Sequence, residues 1–259
     1  MAIFSIRLDE TGTDGYSPIT VVAGAVASPS QWDMLESKWS ALLARSGVAA
    51  FHAMDFNDRE PPFDNWSALK LRRFTDAQNK IIAKNTLFRV SVGIEQAAHQ
   101  AIKERMRGIK GFMPESDYSL CLRYMLFHAS EQLSKKDQDH ELTVMVEDGP
   151  WSCGANATYQ RIKGPSKWKA SKHAHRLAGF ATVPKGTRPS LEASDLIADQ
   201  EIVRLSKGVK RSKRDTLSVL LTRERLDAWQ EWMMEEKEIR RAWRAAQKTT
   251  SSFSEGGSE

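Results

Sequence analysis

Cysteine is nearly absent: Cys121 and Cys153 are the only two in 259 residues, in unrelated contexts and without Cys-x-x-Cys spacing. That excludes a disulfide scaffold and a structural zinc framework, so both read as plain thiols. Long apolar runs are also missing, and none approaches the roughly 20 residues that a membrane helix needs. The opening Met1 to Leu8 has no basic segment leading into a longer apolar stretch and a small-residue cleavage site, so no secretory signal is visible and a cytoplasmic location is expected. No internal repeat occurs. What remains, with 41% hydrophobic and 27% charged residues, is the composition of an ordinary globular protein.

The formal charge of +5 is modest but unevenly spread. Arg161, Lys163, Lys167, Lys169, Lys172 and Arg176 form one basic stretch, and Lys207, Lys210, Arg211, Lys213 and Arg214 another. Such runs are usually solvated faces, but these two flank a segment rich in acids. Lys163, Lys167, Lys169, Lys172, Arg176, Lys210 and Arg211 are therefore the candidate contacts to nucleic-acid phosphates.

Hydrophobic periodicity divides the chain into interleaved strands and helices. Ile3 to Leu8 and Ile19 to Ala27 read as paired strands across a Gly/Pro/Asp turn. Ser30 is the expected cap of a helix to Arg45, followed by a loop rich in Asp, Asn and Pro. A helix over 68–84, a strand over 87–94, helices over 95–106 and 116–133, and a central strand over 142–146 come next. Residues 151–175 form a long polar connection, 177–183 a strand, and 189–205 a helix opened by Pro189 and Ser190. Asp215 is the expected cap of a last helix to Ala246, whose Trp229, Trp232, Ile239 and Trp243 make an apolar stripe for packing on the parent domain or, alternatively, for a homodimer seam. The fold class expected is α/β: a mixed five-stranded sheet flanked by helices, with inserted helices and a long C-terminal helix. The expected divisions are a domain over 1–206, a basic linker and helix over 207–247, and a disordered tail over 248–259.

Three acidic clusters stand in three contexts: Asp9 with Glu10 after the opening apolar run, Glu147 with Asp148 after another, and Asp195 with Asp199 on one face of an amphipathic helix. Acids beside Gly or Pro are often plain turn residues. Carboxylates gathered together, however, oppose mutual ionisation, and a divalent cation relieves them. Strand alternation puts Asp148 on the face of Val144 and Val146, making it a better ligand than Glu147. Asp9, Asp148, Asp195 and Asp199 are the candidate metal ligands. Among the histidines, His52 is a candidate acid/base group, imidazole being the side chain that titrates nearest neutrality. His173 and His175 read as solvated groups or phosphate contacts, because their spacing with Cys153 fits no common zinc finger.

The ordered set of Asp9-Glu10-Thr11-Gly12, His52-Ala53, Asp148, and the stretch LEASDLIAD from Leu191 to Asp199 resembles the domain of unknown function 3800 family, whose members look like RNase H-fold proteins. The resemblance spans most of residues 3–205. It departs from the family pattern at Glu192, where a glutamine is usual. It implies an RNase H-like sheet and a catalytic set of Asp9, Glu10, His52, Asp148 and Asp195. It further implies two Mg²⁺ or Mn²⁺ ions about 3.5–4 Å apart and hydrolysis of nucleic-acid phosphodiesters. Two other functions compete: a catalytically silent nucleic-acid or protein-binding module of the same fold, and a metal phosphoesterase for small molecules. The basic stretches favour a polymer, and the complete acidic set favours activity.

Overall fold

A computed structural model describes residues 2–14, 16–107, 115–136, 139–163, 176–207 and 216–228. The chain divides into two compact units, one of Met1–Gln96 with Glu115–Leu220 and one of Ala97–Pro114 with Leu221–Glu259. The first holds a mixed sheet built from β1 (Ala2–Thr11), β2 (Ile19–Ala27), β3 (Phe88–Glu95), β4 (His140–Glu147), β5 (Leu177–Val183) and β6 (Thr216–Leu221), in the order β5-β4-β1-β2-β3-β6. β1 pairs antiparallel with β2 and parallel with β4, β2 pairs antiparallel with β3, and β4 runs parallel with β5. The expected mixed α/β sheet flanked by helices is thus present, with one strand more than expected.

Every residue of β2 is buried, which fits a strand covered on both faces. Ile19, Val21, Ala23, Ala25 and Ala27 join one core with α1 (Pro29–Ser46), α3 (Ala68–Asn85) and α7 (Pro189–Ser206). α5 (Asp117–Lys136) packs on β2 and β3 from the other face and meets α6 (Ser152–Lys163). α4 (Gln96–Arg105) belongs from Ala97 onward to the second unit. No helix among the described residues is long and apolar enough to cross a membrane.

Three segments depart from the sequence reading, each for a local reason. The cap of α1 is Ser28 rather than Ser30: its hydroxyl accepts the Gln31 N–H while the Gln31 side chain accepts the Ser28 N–H, and Pro29 occupies the first turn where its missing N–H does no harm. Residues 152–163 lie in α6 rather than in a loop, with Ala155, Thr158, Tyr159 and Ile162 buried at helical spacing. Residues 216–221 are β6, so the helix expected from Asp215 does not begin there; a helical segment follows at 223–228. The rest of that helix, including Trp229, Trp232, Ile239 and Trp243, lies outside the described residues, as does the tail.

The loop after α1 contains a further helix, α2 (Ala53–Asp58). Its short length is supported from beneath by rings: Phe51, Phe56, Phe63 and Phe74 lie mutually 5.1–6.3 Å apart between centroids, and Trp66 is 5.1 Å from both Phe63 and Phe74. The segment is tied to α7 through Glu192, whose Oε2 accepts Trp39 Nε1–H at 2.9 Å and the Phe51 N–H at 3.1 Å. This buried carboxylate satisfies two donors that would otherwise be orphaned, which accounts for an acceptor at position 192. Glu192→Ala should therefore lower thermal stability by about 2–4 kcal/mol, since it strands both donors. Glu192→Gln keeps an acceptor oxygen and should stay within about 1 kcal/mol of wild type. Equal damage by both variants in thermal denaturation would show that the charge, not the acceptor, is what matters.

Candidate metal centre

Backbone pairing brings the first two acidic clusters together. β1 runs beside β4 with Leu8 opposite Val146, so Asp9 and Glu10 emerge next to Glu147 and Asp148. Asp9 and Glu10 are thus the last turns of pleat within β1, not residues beyond it. α7 supplies the third cluster. Ala193, Ser194 and Ala198 are small and buried, and Ser194 Oγ donates to the Arg7 carbonyl at 2.9 Å, which holds α7 against β1 and sets Asp195 beside Asp9.

Gly12 closes the β1 end of the site. Its φ of 72° is left-handed, and a Cβ there would lie 2.1 Å from the Ile19 carbonyl oxygen, so the glycine of the Asp-Glu-x-Gly motif is demanded by geometry. Its carbonyl accepts Gln96 Nε2 at 2.7 Å and Thr20 Oγ1 at 3.2 Å, locking the bend that follows the two acids.

The result is a cleft of about 470 Å³ lined by eight carboxylates, Asp9, Glu10, Asp14, Asp58, Glu147, Asp148, Asp195 and Asp199, together with His52, Asn57 and Lys185. Four of the acids are each oriented by a donor. Asp9 Oδ1 accepts the Glu10 N–H at 2.9 Å, Asp195 Oδ2 the Ala53 N–H at 2.8 Å, Asp199 Oδ1 the Asn57 Nδ2–H at 2.7 Å, and Asp148 Oδ1 the Ser152 hydroxyl at 3.0 Å. His52 Nδ1 lies 3.7 Å from Asp195 Oδ2.

Electrostatics mark the centre of the cluster. Burial pushes the Asp9 carboxyl well above the ordinary carboxylate range, and the charges of Asp195, Glu10 and Glu147 push it the same way. Burial, with Glu147 adding to it, raises Glu10 to about 7. Asp195 and Asp199 are raised as well, chiefly by burial, against the opposing hydrogen bonds from Ala53 and Asn57. Tyr118, stacked on Trp151 at 6.1 Å, is raised by burial and then by Glu10 and Asp9.

All the expected acids, with His52, line this one cleft. They do not form a finished cage: among the described residues no three His, Cys, Asp or Glu side chains stand close enough to hold an ion as they are. The donor set nevertheless fits a hard divalent cation, since it offers carboxylate oxygens from two strands and a helix whose repulsion only positive charge relieves. Glu147 rather than Asp148 is the β4 acid felt at Asp9, Glu10 and Asp195. Alternation, which puts Asp148 on the face of Val144 and Val146, applies only as far as the strand runs. In the structure the strand stops at Glu147, and Asp148 turns to the start of α6 while its N–H still donates to the Val183 carbonyl at 2.7 Å.

Among the expected phosphate contacts, Lys163 donates to the Ala178 carbonyl at 3.4 Å and Arg176 NH1 lies 3.2 Å from His140 Nδ1; neither lines the cleft. Lys167, Lys169, Lys172, Lys210 and Arg211, with His173 and His175, lie outside the described residues. Asn57 and Lys185 were not singled out from sequence. Asn57 was legible in principle, because Ala53 and Asn57 repeat the four-residue spacing of Asp195 and Asp199, the carboxylates they serve.

No family model and no curated protein matches the chain, so the family resemblance stands on its motifs. Among solved structures the chain is similar to Bst-RNase HIII in complex with Mn²⁺, at 15% identity over 80% of this chain and 56% of that one, with a TM-score of 0.44. It is also similar to a mutant protein of Bst-RNase HIII, at 13% identity and a TM-score of 0.41 over the same shares. The chain therefore spans 56% of the length of those structures.

The raised carboxyls make a signed prediction for the protein in chelator. Glu10 goes from 4.5 to about 7 on folding, so the folded chain holds a proton that the unfolded chain releases. Its contribution is intact below pH 4.5 and is lost as pH rises through about 7. Glu10→Gln should match wild type near the lower limit and gain on it up to a plateau, on the order of 3 kcal/mol, above the upper one. Melting curves across that range test this, and a constant difference between the two proteins would refute it.

Proposed function

We propose that this protein hydrolyses phosphodiester bonds of nucleic acid with divalent metal ions, as an RNase H-like nuclease. The observation that carries the reading is the convergence of Asp9, Asp195 and the β4 acids in one cleft, where the half-buried Asp9 sits among like charges. A partly desolvated, mutually repelling acid set is costly to a fold unless something positive is bound, and such strain concentrates at functional sites.

Asp9 is the central ligand, with Asp148 and Asp195 to either side and Glu10, Glu147 or Asp199 completing the set. Mg²⁺ or Mn²⁺, two ions in the full form, would neutralise these carboxylates and supply Lewis acidity toward a phosphoryl oxygen. The chain's own residues do the rest. Ala53 and Asn57 hold Asp195 and Asp199 in place, as outer partners of ligands do. His52, its side chain 35% exposed beside Asp195, is placed to exchange a proton with solvent or to orient the scissile phosphate. The basic stretches at 161–176 and 207–214 would neutralise the backbone on either side of the cut, giving salt-sensitive binding with little sequence preference.

Labelled single- and double-stranded RNA and DNA, incubated with the protein in Mg²⁺, Mn²⁺ or chelator, test the proposal. Cleavage should require metal and fall in Asp9→Ala by more than the roughly 10–100-fold typical of losing an outer partner. Metal-independent cleavage, or full activity in Asp9→Ala, would remove the metal centre from the reaction. Mn²⁺ should also raise the melting temperature of wild type and not that of Asp148→Asn, because stabilisation by a ligand requires its site. Equal stabilisation of both proteins would strike Asp148 from the ligand set.

A further inference from the structure

Among the cleft-lining residues a single lysine faces eight carboxylates. Lys185 sits in the turn between β5 and α7, and that turn is fastened at both ends. Before it, the Val183 carbonyl accepts the Asp148 N–H at 2.7 Å. After it, the Gly186 N–H, at a left-handed φ of 70°, donates to Glu147 Oε1 at 3.3 Å. Thr187 closes the turn on the Pro184 carbonyl, through its N–H at 3.3 Å and its hydroxyl at 2.6 Å. The lysine backbone is thereby bound to the acidic end of β4.

Two bland readings are available, a solvated lysine and an internal counter-ion. Lys185 is exposed and forms no hydrogen bond or ion pair with a described residue, so it does not close onto the acids as a counter-ion would. A lysine merely solvated would not need a turn fastened to the site. Its charge also reaches the acids, opposing the larger effect of burial at Glu10 and Asp195.

Resting on the nuclease reading above, the geometry points to Lys185 as the anchor for a phosphate oxygen of the nucleic-acid strand lying across the carboxylates. An ammonium on a flexible stem suits this position, because it acts as a point charge toward any non-bridging oxygen and imposes no bidentate geometry. Recognition of this kind reads the backbone and not the bases. The phosphate belongs either to an internal phosphodiester or to a strand's 5′ terminus, and the two share the same chemistry at Lys185.

The test is binding of the full chain to labelled single-stranded RNA and DNA with a 5′-hydroxyl or a 5′-phosphate. Fluorescence anisotropy is followed in Ca²⁺ from about 50 to 200 mM salt, a range over which phosphate contacts lose affinity steeply. Wild type, Lys185→Ala and Lys185→Arg are compared, all with the same melting temperature because the side chain is exposed. Lys185→Ala should bind more weakly on every sequence and flatten the log–log salt slope by about 0.7, one single-strand phosphate, while Lys185→Arg keeps the slope. Loss on both kinds of strand assigns an internal phosphodiester, and loss confined to the 5′-phosphorylated strand assigns the terminus. If wild type binds and Lys185→Ala has the same slope on every strand, the lysine is solvated and the anchor is overturned, with the nuclease reading intact. If wild type binds neither RNA nor DNA at the lowest salt, the nuclease reading fails and the anchor falls with it.

Discussion

Three hydrogen bonds between α7 and the segment ahead of it determine whether the site exists. Glu192, Asp195 and Asp199 lie along one face of α7, and each accepts from residues 51–57: the Phe51 N–H, the Ala53 N–H and the Asn57 side chain. The donors come from a segment between α1 and α3 whose Phe51, Ala53 and Phe63 join the core formed with β2. The rings of Phe51, Phe56, Phe63, Trp66 and Phe74 pack together there, backing the residues that donate to two site carboxylates. Ser194 anchors the same helix on the Arg7 carbonyl, fixing α7 to both the sheet and that segment.

That arrangement imposes a cost. Two acids on β1 and two on α7 are all driven upward in pKa, and the first cause in each case is burial rather than the neighbouring charge. Elsewhere in the unit buried charge is treated differently. Arg7 is paired with Glu36 and stacked on Trp32 at 4.5 Å, and Glu201 receives Ser91 and Arg204. Arg7 and Glu201 are thus each given a partner of opposite sign, whereas the hydrogen bonds to Asp9, Asp148, Asp195 and Asp199 come from neutral donors. The contrast sets these two ion pairs apart from an acid cluster that, on the proposed reading, is open to a cation.

Much of this was legible in the sequence because two periodicities carry it. The alternation of β4, the unbroken apolar run of β2 and the helical spacing around Asp195 place two acid clusters at strand ends and the third on a helix face, and the structure brings those elements together. What escaped depends on tertiary context. α2 is only six residues long and exists because of rings up to sixteen positions beyond its end, which no local pattern displays. β6 follows a charged run that suggested a capped helix, and its place is set by pairing beside β3. Glu147 joins Asp148 in the cleft because strand alternation says nothing about where a strand stops. Lys185 went unnoticed because Pro184 and Gly186 mark a turn, and a lysine in a turn reads as solvent-facing until the turn is seen tied to Glu147.

Charge balance in the cleft also constrains the order of events on the proposed reading. Eight carboxylates against one lysine and one histidine make a surface that repels a polyanion. A strand enters that field favourably only once cations have offset it, and by linkage a bound strand must tighten the cations by the same factor. Metal and nucleic acid are therefore coupled ligands of one site even if no residue moves. Exposed charges more than about 10 Å apart are largely screened at physiological salt, so this coupling depends on charges close to the acids. Lys185, carried on a turn that is hydrogen-bonded to one of the acids and felt at Glu10 and Asp195, is such a charge, so on the proposed reading the local balance between strand and acid cluster falls to it and to the cations the carboxylates would hold.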